Sequence, residues 1–141
     1  MTTLQHLNYL AVAVAAVVYF ILGALWYSPL LFVKIWMKGN NIPTPTEEDK
    51  KKMKKQMGPL MLSSIVCCLA ATIVVGCMQS LTGMHSIAIG IKTGLAASVF
   101  TTVAIGMNYQ YTRKPFSLFV VDAAYHFCGL IIAGIILSVW A

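Results

Sequence analysis

Residues 115–141 read PFSLFVVDAAYHFCGLIIAGIILSVWA, a run of 27 residues with one formal charge, Asp122. A helix needs about 20 predominantly apolar residues to cross a hydrocarbon layer roughly 30 Å thick, so this run is long enough. Pro115 suits the first turn of such a helix. A carboxylate inside it costs about 2.5–3.5 kcal/mol on insertion scales and has to face protein or water rather than lipid. Three further tracts share the character of this one: residues 1–33, 56–91 and 93–112 contain no Asp, Glu, Lys or Arg. With 59% hydrophobic residues, 10% charged residues and a mean hydropathy of +0.79, the composition excludes a soluble globular enzyme, a nucleic-acid-binding domain and a disordered chain.

The expected fold is therefore all-α: a polytopic integral membrane protein with one membrane domain over residues 1–141, built as a four-transmembrane-helix bundle. The tracts predict helices at about 8–27, 60–81, 86–110 and 115–140, an outer turn at 82–85 and an inner turn at 111–114. Pro29 ends or kinks the first helix, and the apolar, aromatic segment from Ser28 to Trp36 suits the inner interface. In the cytoplasmic loop 28–59, Thr46-Glu47-Glu48-Asp49 has the pattern of a helix cap followed by acidic residues that complement the helix dipole. It predicts a short basic helix over 46–57, which Gly58-Pro59 should break or bend before the second span.

Orientation follows from the basic residues. Lys34, Lys38, Lys50, Lys51, Lys52, Lys54 and Lys55 lie between the first and second tracts, and Arg113 and Lys114 between the third and fourth. The opposite side carries Lys92 alone, whose long side chain can snorkel to the headgroups. This asymmetry places both loops in the cytoplasm and both termini outside. The N-terminus has no Lys or Arg, so the first tract is expected to be retained as a helix rather than cleaved as a signal peptide. Lys50, Lys51, Lys52, Lys54 and Lys55 are candidates for contact with anionic lipid headgroups. Cys67, Cys68, Cys77 and Cys128 all lie in apolar tracts and are expected to be buried thiols without disulfides.

Asp122 is the leading candidate for function, with His126 one helical turn further along the same face. Depth matching nominates Ser63, Ser64, Cys67 and Cys68 on the second helix, Thr101, Thr102 and Asn108 on the third, and Tyr27 on the first. Two interpretations stay open. Asp122 and His126 form a proton or cation relay near neutral pH, or Asp122 is a polar clasp that accepts hydrogen bonds and holds the last helix in place. An Asp122–Lys92 pair is not expected, since their depths differ by about 15 Å at helical rise. Met53, Met57 and Met61, with Cys67, Cys68 and His126, make a weak soft-metal candidate, opposed by the adjacent lysines. Gly90 and Gly94, Gly129 and Ala133, and Ala11 and Ala15 are small-residue pairs suited to close helix packing. Four short helices leave little interior, so a pathway would call for a homo-oligomer, most simply a dimer. No nucleophile–base pair, phosphate loop, nucleotide fingerprint or zinc spacing is present, so neither an enzyme nor a cofactor is expected.

The run Gly23-Ala24-Leu25-Trp26-Tyr27-Ser28-Pro29, with Lys34 and Trp36 behind it, resembles the N-terminal signature of the bacterial membrane family DUF1761. Asp122-Ala123-Ala124-Tyr125-His126, followed by Gly129, Gly134 and Trp140, resembles that family's last helix. The resemblance implies a compact four-helix protein, multi-pass in a bacterial inner (cytoplasmic) membrane, and supplies no activity. The functional expectation is a small oligomeric transporter or channel with an Asp122/His126 site. The alternative is a non-catalytic membrane scaffold or accessory subunit in which Asp122 is structural.

Overall fold

The computed structural model describes residues 7–140. These form five helices and no strand: α1 (Tyr9–Trp26), α2 (Val33–Gly39), α3 (Glu47–Thr82), α4 (Ile87–Tyr111) and α5 (Phe116–Val139). All but α2 are long and apolar enough to cross a membrane. Helix α5 packs against each of the other four, most extensively against α4.

Helix α1 begins at Asn8, whose side-chain oxygen accepts the Ala11 N–H at 3.1 Å and whose amide donates to the Trp140 carbonyl at 2.7 Å. One residue thus caps α1 and ties it to the end of α5. The face that α1 buries holds Ala11, Val12, Ala15, Ala16 and Tyr19, mostly small side chains that permit the close backbone approach membrane helices rely on.

Helix α3 departs from expectation. In place of a short basic helix over 46–57, a break at Gly58-Pro59 and a separate span over 60–81, one helix of 36 residues runs through Pro59. Thr46 starts it with a reciprocal cap: its hydroxyl accepts the Asp49 N–H, and the Asp49 carboxylate accepts both the Thr46 N–H and its hydroxyl. Those bonds hold the Asp49 carboxyl below the usual carboxylate range. Proline removes one helical donor, but residues 47–64 are exposed, and polar surroundings can satisfy the carbonyl it frees. Unbroken α3 is about 54 Å long at 1.5 Å per residue, well beyond an apolar layer of roughly 30 Å. The lysine cluster is therefore carried outward along the helix axis, with Lys50 about 15 Å beyond Leu60 at helical rise. Lys50 pairs with Glu47 and Lys52 with Glu48.

A second difference is α2, a helix inside the stretch expected to be a loop. It docks through Gly39, where an added methyl would stand 2.8 Å from Leu118 Cβ, and the following Asn40 accepts from Lys114 Nζ at 2.9 Å. Pro115 is the N-cap of α5 rather than its first helical residue.

Helices α4 and α5 meet backbone against backbone. Added methyls on Gly90 and Gly94 would lie 2.5 Å from the carbonyl oxygens of Gly134 and Leu130 respectively. Gly129 serves a different neighbour, since the Tyr19 ring of α1 occupies the space its side chain would need. Ala133 is fully buried. These small-residue faces are therefore used inside the chain. Helix α3 joins α4 at Gln79, a buried amide that donates to Thr93 Oγ1 at 3.1 Å and to the Gly134 carbonyl at 2.7 Å.

Replacing Gly94 with Val should destabilise the protein severely, because the atoms it would meet are backbone. Gly58→Ala, with nothing within 4 Å, should be neutral or stabilising by about 0.5–1 kcal/mol, the helix-propensity gain. Thermal unfolding of both variants in one detergent checks the pair.

Candidate functional site

The site is built where the end of α1, the first half of α5 and the last turn of α4 meet. Tyr27 caps α1, and its hydroxyl donates to Asp122 Oδ1 at 2.8 Å. Tyr109, on α4, donates its hydroxyl to Asp122 Oδ2. Both carboxylate oxygens are thus engaged by phenols from two other helices. Neighbouring residues fix this arrangement: Trp26 Nε1 donates to the Val121 carbonyl at 3.0 Å, and its ring lies 4.9 Å from that of Phe32. Gly23 leaves space for Tyr125, whose hydroxyl would be 2.8 Å from a methyl there. The Tyr125 ring in turn lies 5.5 Å from Tyr27 and 5.2 Å from Tyr19.

His126 belongs to a second polar pair. Its Nδ1 lies 2.5 Å from the Tyr19 hydroxyl, and its ring lines a cavity of about 320 Å³ together with Tyr19, Tyr125, Ser63, Ser64, Cys68 and Thr101. An adjoining cavity of about 280 Å³ shares Ser64 and Tyr125 and adds Tyr27, Gly23, Leu60 and Met61. Asp122 lines neither cavity. Tyr19 and Leu130 are buried, whereas Ser63, Ser64 and Cys67 are exposed, so the first cavity is a cleft with α1 and α5 as its floor and a mouth between α3 and α4. The second, lined from α1, α3 and α5, opens on the other side of α3 at exposed Ala24, Leu60 and Met61.

The sequence-predicted residues divide accordingly. Tyr27 meets Asp122, while Ser63, Ser64, Cys67, Cys68 and Thr101 gather with His126 in the cleft. Asn108 does not join the site: it is exposed, and the adjacent Tyr109 takes the role expected of it, because one residue turns a helix by about 100°. Thr102 Oγ1 is buried without a hydrogen-bond partner and does not reach Asp122. Met57 and Met61 are exposed. Among the described residues no three His, Cys, Asp or Glu side chains come together as a metal site. Lys92 is exposed. Tyr19, Tyr109 and Tyr125 are functional neighbours that the sequence reading does not nominate. Aromatic hydroxyls near an intramembrane carboxylate were the available signal.

Four helices long and apolar enough to cross a membrane, joined at one level by a polar–aromatic cluster, fit a multi-span membrane protein. The chain belongs to the family described as Protein of unknown function (DUF1761), whose model matches residues 10–138. No curated protein and no solved structure matches it. The two stretches that carry the family resemblance, Gly23–Pro29 and Asp122–His126, are the ones that meet here.

Tyr27→Phe and Tyr109→Phe should each cost about 0.6–2 kcal/mol, the usual range for a hydrogen bond between membrane helices. Asn108→Ala should cost close to nothing. Unfolding midpoints in mixed micelles separate the two classes.

Proposed function

We propose that the protein is a small membrane carrier or channel in which His126 and Tyr19 face the cargo and Asp122 holds the walls together. The supporting observation is the division of the polar groups: His126 lines the cleft with one ring nitrogen engaged by Tyr19, whereas both Asp122 oxygens are bonded to phenols away from it. A histidine and a phenol in hydrogen-bond contact can pass a proton between them. On this reading the basic end, carrying Lys34, Lys38, Arg113 and Lys114, faces the cytoplasm and both termini face outward. The lysines of α3 nearest the apolar layer meet anionic headgroups. A homodimer belongs to the same proposal, since one chain has little interior for a through-path. Its interface would use lipid-facing side chains, because Gly90, Gly94 and Ala133 are occupied within the chain.

The test is dissipation of an imposed pH gradient in vesicles holding an internal pH dye. Wild-type protein should collapse the gradient faster than empty vesicles. His126→Gln and Tyr19→Phe should return it to the empty-vesicle rate while remaining folded, and Asp122→Asn should conduct in proportion to its folded fraction. Loss of flux in fully folded Asp122→Asn, with His126→Gln unaffected, would reverse the assignment. An inert wild type would favour the scaffold.

A further inference from the structure

The cleft has features that specify what fits in it. No Lys, Arg, Asp or Glu lines either of its two cavities. Moving an ion from water into such surroundings without a counter-charge costs several kcal/mol, so the lining selects against a charged bound ligand, while a proton can still pass along the Tyr19–His126 contact. Its polar groups are hydroxyls, thiols and one imidazole; the Tyr27 and Tyr125 phenols are committed as donors within the fold, and so are the hydroxyls of Ser64 and Thr101. Ser64 Oγ donates to the Leu60 carbonyl at 2.8 Å, and Thr101 Oγ1 donates to the Ala97 carbonyl at 2.9 Å. What they offer a ligand is therefore their lone pairs. His126 has its Nδ1 taken by Tyr19, which leaves Nε2 as a further bonding atom. A group that both donates and accepts, as a hydroxyl does, complements that set.

The position of the mouth identifies the source of the ligand. Helices α4 and α5 are closed against each other through Gly90, Gly94 and Gly134. Helices α3 and α4 are joined by hydrogen bonding at Gln79 and Thr93, near the turn that connects them. Towards the basic end, Ser63, Ser64 and Cys67 of α3 stay exposed and Thr101 of α4 half-buried. That gap lies within two apolar spans, so it opens sideways onto acyl chains. Beyond the hydroxyls the lining turns to Ala71 and Leu130 on one side and to Leu60, Met61 and Phe20 on the other, suited to a hydrocarbon tail.

We infer that the cleft binds a neutral lipid bearing a free hydroxyl, which enters laterally between α3 and α4 and places its hydroxyl among Ser64, Thr101 and His126. The class comprises long-chain or isoprenoid alcohols, diacylglycerols and reduced quinones. This rests on the reading of the cleft as the binding site.

The test uses the full chain in nanodiscs and a long-chain alcohol carrying a diazirine, with cross-linked peptides located by mass spectrometry. Labelling should fall on the segment around Ser63–Cys68 and on α5 near His126. Unlabelled alcohol should compete at about tenfold lower concentration than its methyl ether or its phosphate monoester, the discrimination expected when a hydrogen bond is lost. It should also slow alkylation of Cys67, the exposed thiol at the mouth. Ser64→Ala and Thr101→Val, both at accessible positions, should shrink the preference over the ether to less than about threefold. Equal competition by the ether would overturn recognition of the hydroxyl. Stronger competition by the phosphate would overturn the neutral class and leave the cleft as a binding site. Absence of labelling on these segments with all three compounds would overturn the cleft reading itself.

Discussion

A carboxylate among apolar spans must be satisfied by the chain that carries it, because the surrounding hydrocarbon offers no donor. Asp122 meets that requirement with the hydroxyls of Tyr27 and Tyr109, and much of the architecture at this end of the molecule follows from it. The end of α1 must approach α5 closely enough for a phenol to reach, which Gly23 permits by leaving room for Tyr125. Trp26 then bonds the α5 backbone one residue before the aspartate. On the opposite side α4 must run close along α5 so that Tyr109 arrives at the same carboxylate, and Gly90, Gly94 and Gly134 bring the backbones together. Helix α5 is the common partner of all the others.

Closing α4 and α1 onto α5 leaves α3 as the less constrained wall. Its firmest polar tie is Gln79, near the turn to α4, and from there towards the basic end its hydroxyls and thiols look into a cleft instead of a packed interface. The polar groups are thus divided between a bond that holds the fold and a surface available to a ligand. An aspartate with both oxygens occupied is poorly placed to exchange protons with cargo. The Tyr19–His126 pair, on the cleft wall, is well placed.

Much of this was legible in the sequence because the bilayer constrains it so strongly: span lengths, the basic end and the isolation of Asp122 follow from hydropathy and charge alone. Matching depths brought Tyr27 to Asp122, whereas Ser63, Ser64, Cys67, Cys68 and Thr101, nominated at the same level for Asp122, line the cleft beside His126 instead. What depth cannot supply is rotation about each helix axis. Asn108 and Tyr109 sit at the same level, and only the facing of α4 decides between them. Tyr19 lies more than a hundred residues from His126 in the chain, and nothing local marks it as a partner. Pro59 misled for a different reason: a proline breaks a helix where the freed carbonyl has nowhere to go, and this segment is exposed. Gln79 lies near a turn and nothing local in the sequence marks it, although burial makes it the tie between α3 and α5.

The division of the polar groups is tested most directly by solid-state NMR of the protein in bilayers, with labelled Asp122, His126 and tyrosines and with magnetisation transferred from water or from lipid chains. The account predicts contacts from the Asp122 carboxyl carbon to the ring protons of Tyr27 and Tyr109 with no rapid transfer from water, and transfer from lipid chains to Ser64 and the His126 ring. Rapid transfer from water to Asp122 without contacts to the two phenols would contradict it. The carboxylate would then line an aqueous route, and the clasp would have to be abandoned.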